Sequence, residues 1–237
     1  MTTKLSGKKI LFDGDSICIG RRETGNWATR ITERFSAVCP CYAAGGGTIT
    51  ENPPRFKAGG ERHSVSASLE RLHAEHPDAD YLLIEGGTND ADLLGNAAAG
   101  EESRLGSYTD FDFSGSYDRD TFCGALESIF FRATQLFPDK KIGYIVAQKM
   151  GRGESSFKNR RHYFLAAIGI CRKWGIPYID LWETSYLNPN LPWMYDPTHT
   201  PEENLTDNRG YYFDGQHLTA RGYDLTAELI GNWLLML

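Results

Sequence analysis

The chain alternates short apolar runs with helical stretches, and that alternation restricts the folds open to it. Ile10-Leu11-Phe12 reads as a first strand and runs into Asp13-Gly14-Asp15-Ser16. Trp27, Ile31 and Phe35 recur every four residues, the spacing of one helix face. Ala37 to Tyr42 is the expected second strand, ended by Gly45-Gly46-Gly47. A helix over 65–75 with Leu69 and Leu72 inward leads to a third strand, Tyr81 to Ile84, broken by Gly86-Gly87. Phe122, Leu126, Ile129, Phe130 and Ala133 mark a longer helix. Ile142 to Ala147 and Tyr178 to Leu181 are the fourth and fifth strands, separated by a helix carrying Tyr163, Ala167, Ile170 and Trp174. A last helix spans Leu218 to Leu237. Strands separated by helices predict a mostly parallel sheet with helices on both faces. The 237 residues suffice for one such domain, 1–237, and no repeat or linker divides them.

In sheets of this kind ligands bind beyond the carboxyl ends of the strands. Ser16, the glycines at 45–47 and Asn89 each follow a predicted strand, so they are expected to gather at one sheet edge. Two connections are long, 91–118 and 182–213, and long loops in compact domains often serve function. The second is rich in aromatics, among them Trp182, Tyr186, Trp193, Tyr195, Tyr211, Tyr212 and Phe213. These suit either a pocket wall or anchors that pin the loop to the core.

A net charge of −6 and the lack of a basic block exclude a general nucleic-acid binder. No apolar run reaches bilayer-spanning length, so no membrane span is expected. The polar segment Met1 to Lys9 lacks the apolar core of a signal peptide. The five cysteines are an odd number without a zinc-type CxxC pair, so they read as reduced thiols of a cytoplasmic protein.

Acyl transfer from an ester needs an activated nucleophile, an oriented base and donors for the developing oxyanion. Ser16, at a strand-to-helix turn, is the candidate nucleophile. Asp214-Gly-Gln-His217 puts a carboxylate and an imidazole within one short turn, so that the carboxylate can orient the base. Gly46 offers an unobstructed backbone N–H, and Asn89 a side-chain amide donor. His199 is the other histidine considered as base, but it lies in a Pro- and Thr-rich loop.

Gly14-Asp15-Ser16, the glycine run, Gly87-Thr88-Asn89-Asp90 and Asp214-x-x-His217 together resemble the four motif blocks of the SGNH (GDSL-type) hydrolases, in the family's order. The resemblance implies a flavodoxin-like three-layer sandwich with a five-stranded parallel sheet. It implies Ser16 as nucleophile, His217 as base, Asp214 as its partner, and an oxyanion hole of the Ser16 and Gly46 N–H groups with the Asn89 amide. No metal or organic cofactor is implied. The second block departs from relatives, which often carry Asn near Cys41; Gly47 is therefore the alternative donor to Gly46. The family spans lipases, lysophospholipases, thioesterases and carbohydrate O-acetylesterases. The aromatic and polar loops favour removal of small acyl groups such as acetyl from a carbohydrate ester.

Two other classes compete. Phe12-Asp13-Gly14-Asp15-Ser16-Ile17 also resembles the first motif of haloacid-dehalogenase-type phosphatases, in which the first aspartate attacks phosphorus. That chemistry needs magnesium and a late acidic pair, and it leaves Asn89 and His217 without a role. A carbohydrate-binding module that lost turnover is the non-enzyme alternative, and the full catalytic set argues against it.

Overall fold

The computed structural model describes residues 3–53, 63–151, 153–207 and 210–237. Four strands form one sheet in sequence order: β1 Ile10–Asp13, β2 Tyr81–Glu85, β3 Lys141–Val146 and β4 Tyr178–Asp180. All three pairings are parallel, with Leu83 between Phe12 and Gly143 in the register. The nearly continuous burial of β1, β2 and β3 is what a parallel sheet covered on both faces requires.

The expected strand at Ala37 to Tyr42 is present only as isolated bridges, Lys9 to Val38 and Phe12 to Cys41. The segment does run parallel beside β1. Val38 N donates to Lys8 O and Ile10 N to Val38 O, each at 2.8 Å, and Tyr42 N reaches Phe12 O at 2.8 Å. The missing rung is the one that residue 40 would donate to Ile10. Residue 40 is proline and has no N–H, so the ladder breaks at its centre.

The helices are α1 Ser16–Ile19, α2 Trp27–Phe35, α3 Val65–Glu75, α4 Thr88–Leu93, α5 Phe122–Leu136, α6 Glu154–Trp174, α7 Leu181–Thr184, α8 Pro201–Asp207 and α9 Ala220–Met236. They form two groups. On one side α9 packs on α2, where the Phe35 ring lies over Gly231 so closely that a Cβ there would sit 2.1 Å from Cε2. On the other, α5 packs against both α3 and α6. Adjacent residues of β3 show the two faces. A Cβ on Gly143 would meet Trp233 of α9 at 2.7 Å, whereas the next side chain, Tyr144, makes an edge contact with Phe130 of α5 at 6.4 Å.

Side-chain caps fix most helix starts. Asp15, Asn26, Ser64, Thr121 and Thr219 each accept a hydrogen bond from a backbone N–H in the first turn of the helix that follows. The Trp27 indole donates to Thr226 Oγ1 at 2.9 Å, so the polar edge of a buried ring is satisfied across the α2–α9 contact. Among the described residues, no helix is long and apolar enough to cross a membrane.

Candidate active site

The carboxyl ends of β1 and β2 carry acidic residues, Asp13 and Glu85, and the chain turns sharply after each. After β1, Gly14 passes so close to β2 that a Cβ would lie 2.8 Å from Glu85 Oε2. Asp15 N donates to that oxygen at 3.2 Å, and the Asp15 carboxylate caps α1 by accepting from Ile17 N at 2.7 Å. The turn places Ser16, half-buried, at the first position of α1, where its own N–H has no intrahelical acceptor.

Two hundred residues later the segment before α9 closes over Ser16. Asp214 Oδ1 accepts from Gln216 N at 2.9 Å and from His217 N at 2.7 Å, which folds the loop into a tight turn. Its other oxygen faces His217 Nδ1 at 2.7 Å, and His217 Nε2 faces Ser16 Oγ at 2.9 Å. The imidazole is backed by Phe213, stacked at 15° with 5.6 Å between centroids, and Arg21 covers that phenyl ring at 4.5 Å. Burial acts to raise the Asp214 carboxyl. The bonds from the His217 ring, the imidazole charge and the two backbone N–H groups outweigh burial and hold it below the ordinary carboxylate range. The loop is also tied to the segment after β3. Gln148 Nε2 donates to Gln216 O and Gly151 N to Gly215 O, both at 3.1 Å, and Tyr212 Oη donates to Lys149 O at 2.6 Å.

The glycine turn and α4 meet beside the same serine. Gly87, at φ +101, opens α4 in a conformation few other residues adopt. Asn89 Nδ2 then donates to Gly47 O at 2.9 Å and lies 3.3 Å from Asp15 Oδ2, next in sequence to Ser16. Asp90 takes three hydrogen bonds, from Ile49 N at 2.9 Å, Thr50 N at 3.1 Å and Thr50 Oγ1 at 2.9 Å, and so anchors the chain just beyond the glycines. Gly47 N is committed to Ala44 O at 3.0 Å, whereas Gly46 N has no partner among the described residues. Of the two candidate donors, Gly46 is thus the one whose N–H is uncommitted there.

All five residues singled out from sequence therefore lie in one neighbourhood, and His199 does not. Its Nδ1 lies 3.9 Å from Asp196 Oδ2, on the surface. Asp13, the nucleophile of the phosphatase reading, is 1% exposed and fully engaged. It accepts from Gly14 N at 2.9 Å, contacts His63 Nε2 at 2.7 Å and accepts from Ser68 Oγ. Among the described residues, no group of three His, Cys, Asp or Glu side chains is arranged to hold a metal ion.

The aromatics of 182–213 divide between two roles; residues 208 and 209 lie outside the described residues. Trp182, Tyr195, Tyr212 and Phe213 are buried anchors. Tyr186 and Trp193 are 72% and 53% exposed and lie 5.9 Å apart, and Trp193 meets Tyr211 edge-on at 6.4 Å.

Sequence reasoning missed Glu85 and Arg160. Glu85 ends a strand whose every residue is buried, and a carboxylate closing an apolar run was the available signal. Burial, then the neighbouring charge of Asp15, pushes the Glu85 carboxyl well above the ordinary value. Burial likewise raises Asp15, to about 6, against the opposing bond from Ile17 N and the charge of His217. Both groups hold protons more tightly folded than unfolded, so their contribution to stability is lost as pH rises through the folded values. The Glu85→Gln variant is expected to match the parent in thermal midpoint near about pH 5 and to exceed it increasingly toward about pH 8. Thermal melts across that range check this, and a gap that does not change with pH would remove the assignment of a proton to Glu85.

No curated protein matches the chain. Solved structures that share its fold include a protein from Lactobacillus plantarum (20% identity, TM-score 0.70, 97% of each chain covered). Another is a carbohydrate acetylesterase family member from Sinorhizobium meliloti (13% identity, TM-score 0.63, 97% of this chain and 98% of that one). A third is the M. smegmatis aryl esterase (14% identity, TM-score 0.62, 98% of this chain and 100% of that one). At these identities they establish the fold, an α/β sandwich of the flavodoxin-like kind. The family model of the GDSL-like lipases and acylhydrolases matches residues 12–225, from the end of β1 into α9 and across every motif described above, and the chain belongs to that family of hydrolases.

Proposed function

We propose that this chain is a serine carboxylic ester hydrolase that removes small acyl groups, acetyl foremost, from carbohydrate. The observation that carries the reaction is the line of contacts from Asp214 through His217 to Ser16 Oγ, at 2.7 and 2.9 Å. Ser16 Oγ attacks the acyl carbon while His217 Nε2 takes its proton, and the Asp214 carboxylate stabilises the imidazolium that forms. Negative charge developing on the carbonyl oxygen meets the N–H groups of Ser16 and Gly46 and the amide of Asn89. His217 then returns its proton to the leaving alcohol. Water, activated by the same imidazole, releases the acid from Ser16. No step calls for a metal or organic cofactor.

The exposed rings support the choice of carbohydrate. Tyr186 and Trp193 offer apolar faces, and sugars stack C–H bonds on such faces while their hydroxyls stay hydrated. Tyr186 is held at φ +65, a left-handed conformation costly for a non-glycine residue and often associated with functional sites. The ribbon carrying Tyr211 also carries Phe213, which stacks on His217, so the aromatic row leads away from the base. The Sinorhizobium meliloti relative is itself described as a carbohydrate acetylesterase family member.

A series of p-nitrophenyl esters from acetyl to octanoyl tests the acyl preference. The expected result is kcat/KM falling by roughly tenfold or more from acetyl to octanoyl, the size of effect that a few methylenes produce in a pocket. In parallel, Trp193→Ala is expected to lower kcat/KM on an acetylated oligosaccharide while leaving p-nitrophenyl acetate unaffected. A preference for octanoyl would replace the acetylesterase reading with a lipase one. Equal loss on both substrates would remove the aromatic row from substrate binding.

A further inference from the structure

The structure assigns to Arg160 a positioning role in the reaction: one buried guanidinium ties the loop that carries the base to the helix that carries the oxyanion amide. Arg160 lies on α6, and only 6% of it is exposed. Its Nε and Nη2 reach Asp92 Oδ1 and Oδ2 at 3.2 and 2.8 Å, a paired grip on α4 three residues beyond Asn89. The same Nη2 donates to Gln216 Oε1 at 2.9 Å, and Gln216 is the residue before His217. Asn159, next to it on α6, seals the other side of the joint by donating to Ala91 O at 2.6 Å and Gly95 O at 3.2 Å. The Asp214–His217 turn and α4 are separated by more than a hundred residues and share no strand. The Arg160 side chain contacts both.

The arrangement has a chemical consequence. Gln216 is held at its backbone by Asp214 and Gln148, and Arg160 is the tie on its side chain, in a turn that contains Gly215 at φ +82. A shift of about 1 Å in a catalytic group costs on the order of a hundredfold in rate, because attack and proton transfer both depend on alignment. Lysine is a point charge and cannot grip a carboxylate with two parallel bonds while also reaching an amide, so the site calls for arginine.

This inference rests on His217 being the base, which Ser16→Ala and His217→Ala decide separately. Its own test is a double-mutant cycle between Arg160→Met and Gln216→Ala, with turnover of p-nitrophenyl acetate counted per active site by stoichiometric fluorophosphonate labelling of Ser16. Each single variant is expected to lose roughly tenfold in kcat with KM within about twofold, and the double variant is expected to be no worse than the poorer single one. Arg160→Lys is expected to recover little. If Arg160→Met does not fold, Gln216→Ala reports on the same link alone. Kcat per active site unchanged in the variants that fold, or single losses that multiply in the double variant, would overturn the proposal. Ester hydrolysis that survives Ser16→Ala would instead overturn the functional reading beneath it.

Discussion

Ser16→Ala is expected to lower kcat for p-nitrophenyl acetate by roughly 10³–10⁶-fold while leaving the thermal midpoint close to that of the parent. The range is wide because residual rate over water comes from whatever oxyanion stabilisation survives. The fold is expected to tolerate the change because the Ser16 side chain supports nothing else. Its hydroxyl contacts His217 Nε2, whereas the capping of α1 falls to Asp15. His217→Ala is expected to cost a similar factor, and the pair together little more than either alone, since nucleophile and base act as one unit. Active-site labelling with a fluorophosphonate provides a second readout. The parent takes up one equivalent and Ser16→Ala none. Turnover within tenfold of the parent in a folded Ser16→Ala protein would exclude Ser16 as the nucleophile, and label uptake by that variant would point to a different one.

Much of this arrangement could be read from the sequence because each part has a local signature. A serine after an apolar strand, a glycine turn, an asparagine after a second strand and an Asp-x-x-His before the last helix each report on neighbours a few residues away. A parallel sheet then brings strand ends together without further instruction. Legibility fails where a residue acts across distance. Arg160 sits on α6 directly before the apolar stripe that begins at Tyr163, and nothing in its own segment names Asp92 or Gln216 as partners. Glu85 reads as the end of a strand, and only tertiary packing shows that Asp15 shares its burial. The edge strand was lost for the opposite reason. Its apolar pattern is sound, but Pro40 removes a single N–H, and a periodic reading of side chains does not register backbone donors. The aromatics of 182–213 likewise divide into anchors and exposed rings by three-dimensional position, which composition does not encode.

Asn89→Ala is expected to lower kcat by roughly 10²–10³-fold, about 3–4 kcal/mol of transition-state stabilisation, with a much smaller change in KM. The argument starts from where the amide is held. Its Nδ2 donates to Gly47 O at 2.9 Å and faces Asp15 Oδ2 at 3.3 Å, so the group stands between the glycine turn and the residue preceding the nucleophile. The contact to Asp15 is the longer of the two, and it is the hydrogen on that side which an oxyanion would take when charge develops. The bond to Gly47 O keeps the amide in place, and only the longer contact to Asp15 is exchanged at that moment, so its loss falls on kcat. The same bonds also brace the turn that presents Gly46 N–H, so two explanations of a slow variant must be separated. A second variant, Asn89→Asp, accompanies Asn89→Ala, and it too loses the bond donated to Gly47 O. It keeps size and shape but replaces a donor with a carboxylate facing Asp15, so it is expected to be at least as slow as Asn89→Ala. Affinity for an alkyl boronic acid, whose tetrahedral adduct on Ser16 carries the same charge as the intermediate, is expected to fall in step with kcat across both variants. If kcat falls and boronate affinity does not, the amide serves the turn alone. If Asn89→Ala keeps kcat within about threefold of the parent, the oxyanion hole is built from backbone N–H groups, and the family's asparagine plays no part in this chain's chemistry.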